Sequence, residues 1–102
     1  MKTLAYTPKK ETGFTGTVML EMMNYQERLK KMQEMNLDDE KDAIKSAEAI
    51  TALVSQSVKR IDVKHGDTKF TDLEELGYFD EGTKLINELS VVLIKGIPLG
   101  NG

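Results

Sequence analysis

His65, Asp62 and Asp67 are the residues that, if brought together, could move a proton or hold a cation. His65 is the only histidine and stands beside Gly66 and Asp67 in an apparent turn, so it reads as a solvent-facing turn residue. One histidine in a chain without cysteine does not supply the usual ligands of a tight zinc site. The two aspartates do not by themselves form an organised set for a hard cation. Ser46, Ser55, Ser57 and Ser90 fall in helical stretches or their continuations. None sits on a recognisable nucleophile elbow with a base and oxyanion donors. Neither Gly13 to Gly16 nor Gly100 to Gly102 is followed by the lysine and hydroxyl that a phosphate-binding loop requires. The adjacent acids Asp38 with Asp39 and Glu74 with Glu75 point in different directions on a helix, where capping and dipole roles suit them. The chain is therefore read as non-enzymatic, with no catalytic, cofactor-binding or metal-ligating residue and no cofactor.

The chemistry that does stand out is apolar recognition. Apart from Met1, all the methionines (Met19, Met22, Met23, Met32 and Met35) lie in one stretch that begins as a strand and continues as a helix. Unbranched thioethers conform to irregular apolar surfaces and suit a partner without a rigid pocket. Met22, Met32 and Met35 can serve either the core or a partner. Met19 and Met23 have the opposite strand parity from Met22, so all five cannot enter one core face. Together with Tyr25 and Leu29 they form the candidate partner-binding set.

The elements that must position these residues follow from period and punctuation. Pro8, Gly13 and several polar residues make residues 1–13 read as a flexible leader. Phe14 to Met22 reads as a strand with Val18, Leu20 and Met22 on one face, and Gly16 suggests a bulge or close backbone approach. Asn24 and Glu27 fit a capping box that opens a helix from Tyr25 to about Asn36, with Tyr25, Leu29, Met32 and Met35 as its apolar face. Asp38 or Asp39 can cap a second, long helix over about 40–59. Its stripe is Ile44, Ala47, Ile50 or Thr51, Val54 and Val58, joined by Ala43 and Ile61. Lys59 to Lys64 then alternates, and a hairpin through Gly66 to Phe70 needs a neighbour such as the Phe14 to Met22 strand. Thr71 with Glu74 suggests a cap on a short helical turn ending at Gly77. Asp80 suggests a cap on a last helix through Leu85, Leu89 and Leu93, stopped by Gly96. An alternative makes Ser90 to Lys95 a buried strand, but continuity from Leu85 favours the helix.

The expected fold is thus α+β: a small antiparallel sheet with a hairpin, packed against about three main helices. It forms a single domain over 14–96, followed by a flexible tail at 97–102. A chain of 102 residues with 39% apolar and 6% aromatic content builds one largely aliphatic core. The N-terminus lacks the apolar centre of a signal peptide, and no apolar run has the length of a membrane span. A net charge of −3, with no broad basic footprint, argues against nucleic acid. Arg28, Lys30 and Lys31 are interleaved with Glu27 and Glu34, as on a solvated helical face.

Three segments in order carry a family resemblance: FTGTVMLEMMNYQERLKKMQEM, the alanine-rich AIKSAEAITALVSQSVKRIDV, and, after a short hairpin, DEGTKLINELSVVLIKG. The most suggestive pieces are NYQERLKKM and VKRIDVKHGDTKFTDLEELGYF. Over roughly residues 14–96 the chain resembles the small tail assembly chaperones of long, flexible-tailed bacteriophages. The resemblance implies a non-enzymatic assembly role in the host cytoplasm, with the tape-measure protein and tail-tube protein as partners, and absence from the finished particle. It also implies a short product beside a frameshifted long form of the same protein. The exposed apolar face suggests a homo-oligomer; no membrane or nucleic acid partner is expected. The alternatives are a phage structural or adaptor protein and a small DNA-binding regulator.

Overall fold

The computed structural model describes residues 2–35 and 43–99. Four strands form one antiparallel meander: β1 (Lys2–Tyr6), β2 (Phe14–Met22), β3 (Val58–His65) and β4 (Thr68–Phe70), in the spatial order β1-β2-β3-β4. Four helices accompany them: α1 (Tyr25–Met35), α2 (Ala43–Ser57), α3 (Leu73–Gly77) and α4 (Asp80–Lys95). The α+β class expected from the sequence is what the chain forms.

Strand β2 carries the alternation that decides the layers. Phe14, Val18, Leu20 and Met22 are buried on its inner face, whereas Thr15 and Thr17 are exposed on the other. Across the ladder Val18 opposes both Tyr6 and Ile61, and Gly16 opposes Val63. Period-two alternation thus gives one apolar face to the helices and leaves the other to water. That outer face is polar, with ion pairs from Lys59 to Glu21 at 3.4 Å and from Lys69 to Asp62 at 3.7 Å. A bulge between Met19 and Leu20 makes the β3 partner step from Arg60 to Val58, leaving Lys59 as the extra residue.

Residues 1–13, expected to be a flexible leader, contain instead β1 and a 3₁₀ turn at Lys10–Thr12. Leu4 and Tyr6 share the inner face, and the fully buried Tyr6 donates its hydroxyl to Glu88 Oε2 of α4 at 2.6 Å. The Lys9 amide donates to the same oxygen at 3.2 Å. The N-terminal segment is therefore tied at Tyr6 and Lys9 to a helix residue 82 and 79 positions away. No local pattern reveals such a tie, because the strand exists only as a partner of β2. At the other end, Ile97 packs against the core while Leu99 is exposed.

Helix α4 is the element the sheet holds. Its buried residues Gly82, Leu85, Leu89, Val92 and Leu93 recur at intervals of three and four. It is a helix throughout, so the strand alternative for Ser90 to Lys95 does not apply. The Gly96 amide closes it onto the Val92 carbonyl at 2.7 Å, with φ at 99°. Its N-cap is Phe79, not Asp80; Asp80 is its first residue and pairs with Lys84 at 3.2 Å. The cap expected at Thr71 is likewise one residue later: Asp72 accepts from the Glu75 amide at 2.8 Å. Helix α2 buries Leu53, Val54 and Ser57 and passes without a loop into β3. Val58 and Ile61, assigned above to its stripe, belong to the strand, where Ile61 faces the same core by alternation. The expected cap at Asp38 or Asp39 and the helix end at Asn36 lie outside the described residues.

Two glycines mark places where backbones meet. A Cβ at Gly16, whose φ is 112°, would overlap the Asp62 carbonyl oxygen of β3; one at Gly82 would overlap the Leu76 carbonyl oxygen of α3. Gly77 has open space around it and no positive φ. Gly82→Ala should therefore cost about 3 kcal/mol through overpacking, whereas Gly77→Ala should be neutral or stabilising by up to about 1 kcal/mol. Urea denaturation of both variants measures the difference.

The Tyr6 tie has a pH signature. Burial, then the hydrogen bond to Glu88 and the nearby Glu88 charge, push the Tyr6 hydroxyl pKa far above its ordinary value. The fold thus favours the protonated phenol. Its contribution is complete below the unfolded pKa of about 10 and is lost as pH rises above it toward the folded value. Tyr6→Phe should lose about 1.5 kcal/mol near neutral pH and show a shallower alkaline loss of stability. Equilibrium unfolding across a pH series checks both the size and the slope.

Candidate functional site

Helix α1 begins with the expected reciprocal cap. The Glu27 amide donates to Asn24 Oδ1 at 2.9 Å, and the Asn24 amide donates to Glu27 Oε1 at 3.3 Å. These two bonds satisfy donors that a helix start leaves open. The helix packs against α4 and α2.

The side it turns toward them is unexpected. Among the helix's described side chains Glu27, Arg28 and Lys31 are the half-buried ones, whereas Tyr25, Leu29 and Met32 are 66%, 42% and 39% exposed. The three apolar residues, spaced i, i+4 and i+7, form one stripe. An amphipathic helix normally buries such a stripe; α1 presents it outward.

Arg28 accounts for part of this orientation. Its guanidinium fills the space beside Gly96, where an added Cβ would stand 2.7 Å from Nη1. That position adjoins the C-terminal end of α4, whose partial negative charge favours a cation. The guanidinium carbon also lies 5.9 Å from the Tyr25 ring centroid. Arg28 Nε is enclosed without an acceptor among the described residues. Sequence reading placed Arg28 on a solvated face; its packing against Gly96 depends on a residue 68 positions away in the chain, and no local signal marks it.

The seven candidate partner-binding residues do not form one surface. Met22 is 7% exposed and belongs to the core, and Met23 is half-buried against that core. Met19 is half-buried on the outer sheet face, opposite Ala5 and Arg60, so the sheet separates it from the helical layer. Met35 ends α1, and its side chain lies outside the described residues. Tyr25, Leu29 and Met32 remain as a continuous exposed stripe.

The residues considered for catalysis stay dispersed. His65 is the last residue of β3 and is half-buried, with its ring 5.0 Å from that of Phe14. It is not the solvent-facing turn residue expected. Asp62 is on the outer sheet face and pairs with Lys69, and Asp67 is exposed in the hairpin turn. Among the described residues no three acidic, histidine or cysteine side chains form a group able to hold a metal ion. Nor is any described helix long and apolar enough to cross a membrane.

Arg28→Ala should destabilise the protein by about 1 kcal/mol through lost packing, while Leu29→Ala should stay within about 0.5 kcal/mol. This reverses the usual order for arginine and leucine on an amphipathic helix. Thermal and chemical denaturation of the two variants measure it.

Comparison of the chain with protein-family models, with curated proteins and with solved structures finds no match in any of the three.

Proposed function

We propose that this protein is a non-enzymatic tail assembly chaperone of a long-tailed phage, acting in the host cytoplasm. In this reading it masks apolar helical segments of the tape-measure protein until tail-tube subunits assemble around them. The observation that carries the reading is the outward stripe of Tyr25, Leu29 and Met32 on a helix whose polar side is packed inward. Such a stripe suits an amphipathic helix, which could lay its own i, i+3, i+4 face against it. The residues are a tyrosine, a leucine and a thioether, which adapt to more than one client sequence. The resemblance of residues 14–96 to the tail chaperones supplies the identity of the client. Self-association through the same stripe would store the protein as a homo-oligomer that exchanges self-contacts for client contacts.

Co-expression with the tape-measure and tail-tube proteins, followed by pull-down, tests the proposal. The wild type should keep the tape-measure protein soluble and co-purify with it. A Leu29→Ser, Met32→Ser double variant should bind at least about tenfold more weakly, a loss of 1.4 kcal/mol or more, while unfolding cooperatively. Unchanged binding by the folded variant would reject the stripe as the client surface. Retention of the protein in purified virions would favour a structural or adaptor role instead.

A further inference from the structure

The two edges of the sheet differ. At one edge β4 is only three residues long and carries Lys69; shortness and a lysine are the usual means of blunting an edge. At the other edge β1 pairs with β2 without interruption from Lys2 to Tyr6 and contains no proline. No strand lies on its far side among the described residues. Alternate residues of an antiparallel edge strand direct their N–H and C=O groups away from the sheet, where only another extended chain can pair with them in series.

Beside this edge a groove runs along α4. The N-terminal segment meets the helix where Tyr6 and Lys9 bind Glu88. Lys84, Glu88, Val91 and Lys95 follow one another at spacings of three and four, so they share one side of the helix. That side is about 17 Å long at 1.5 Å per residue, close to the length of a five-residue strand, about 17 Å. With Lys9, Val92 and Pro98 it borders a groove of about 370 Å³, within the size range of binding sites, roughly 300 Å³ or more. Val91 is 50% exposed there although it lies well inside α4. The rim is cationic: Lys9, Lys84 and Lys95 border it beside one carboxylate, Glu88, which already accepts from Tyr6 and Lys9. Lys84 pairs with Asp80, whereas Lys9 and Lys95 have no ion-pair partner among the described residues.

An open strand edge fits an extended chain, an apolar groove beside it takes that chain's alternate side chains, and a lysine rim selects acids. A second copy is disfavoured, because two-fold pairing of β1 with β1 sets one lysine rim against the other. From this arrangement we infer that β1 and the groove along α4 form a docking site for an extended acidic segment of another protein, which joins the sheet as a fifth strand. Its main chain pairs with β1, its apolar side chains cover Val91 and Val92, and its carboxylates meet Lys9 and Lys95. The site shares no residue with the outward stripe of α1, so either surface can be lost without the other.

The test titrates the full chain, at constant ionic strength, with a short peptide that alternates valine with glutamate, while NMR follows the backbone amides of β1. Saturable shifts and slowed hydrogen exchange are expected in Lys2–Tyr6. The same peptide with N-methylated backbone amides, and its counterpart with lysine for glutamate, should each bind about threefold or more weakly. A Lys9→Gln, Lys95→Gln double variant, altered only at exposed positions, should weaken the glutamate peptide by about threefold or more with little change in the unfolding midpoint. Unmoved β1 amides, equal binding of the lysine peptide, or unchanged affinity in the double variant would overturn the assignment. So would shifts of the same amides that follow protein concentration without peptide, which assign the edge to a second copy.

Discussion

The seating of α4 on the inner face of the sheet is the interaction on which the rest of the molecule depends. Leu85, Leu89 and Leu93 are fully buried, as are Val18, Leu20 and Val63 of the strands. Each side chain of this kind contributes about 2 kcal/mol on leaving water. The helix is also the common attachment point of the other elements: α1, α2 and α3 all pack against it, and Tyr6 and Lys9 are bound to its Glu88. Close approach at Gly82 sets how α3 meets it. Moving α4 would disturb every other helix as well as the edge strand.

One-sided coverage of the sheet follows from the same arrangement. With the helices on a single face, the opposite face keeps threonines and ion pairs, with Met19 half-buried among them. Helix α1 joins the helical layer through Arg28 beside Gly96, near the C-terminal end of α4. The rings of Phe14, Phe70, Phe79 and His65 gather at the opposite end, at Phe79 and Gly82. Sixteen residues of helix separate these ends, about 24 Å at 1.5 Å per residue. The apolar stripe and these rings can therefore be altered independently, each without touching the residues that hold the other.

Much of the fold was legible because its signals are local. The Asn24 and Glu27 cap, the alternation in β2, the stop at Gly96 and the four-residue leucine spacing of α4 each act within a few residues, where sequence distance equals spatial distance. Errors arose where a neighbour from elsewhere decided the outcome. β1 lies among the polar residues, Pro8 and Gly13 that made the segment read as a leader, and it is held by β2 and Glu88. Val58 and Ile61 continue the helical period of α2 on paper, yet β2 captures them as a strand. His65 sits beside turn residues in the chain, but pairing with Phe14 brings its ring against an aromatic wall. Among the seven candidate residues the apolar stripe of α1 was legible, since Tyr25, Leu29 and Met32 lie on one side of the helix as their spacing requires. The division of those candidates among core, outer sheet face and helix surface was not.

By itself, then, the sequence determined the α+β class and that α1 has an apolar stripe. Those properties follow from composition and from periods fixed by backbone geometry. Only the tertiary structure decided which side of α1 meets its neighbours and which distant aromatic rings gather at the start of α4. The period of an amphipathic helix states that it has two sides but not which one docks. That choice depends on the space beside Gly96, on the charge of Arg28 and on the end of α4, which come together only when the chain has folded.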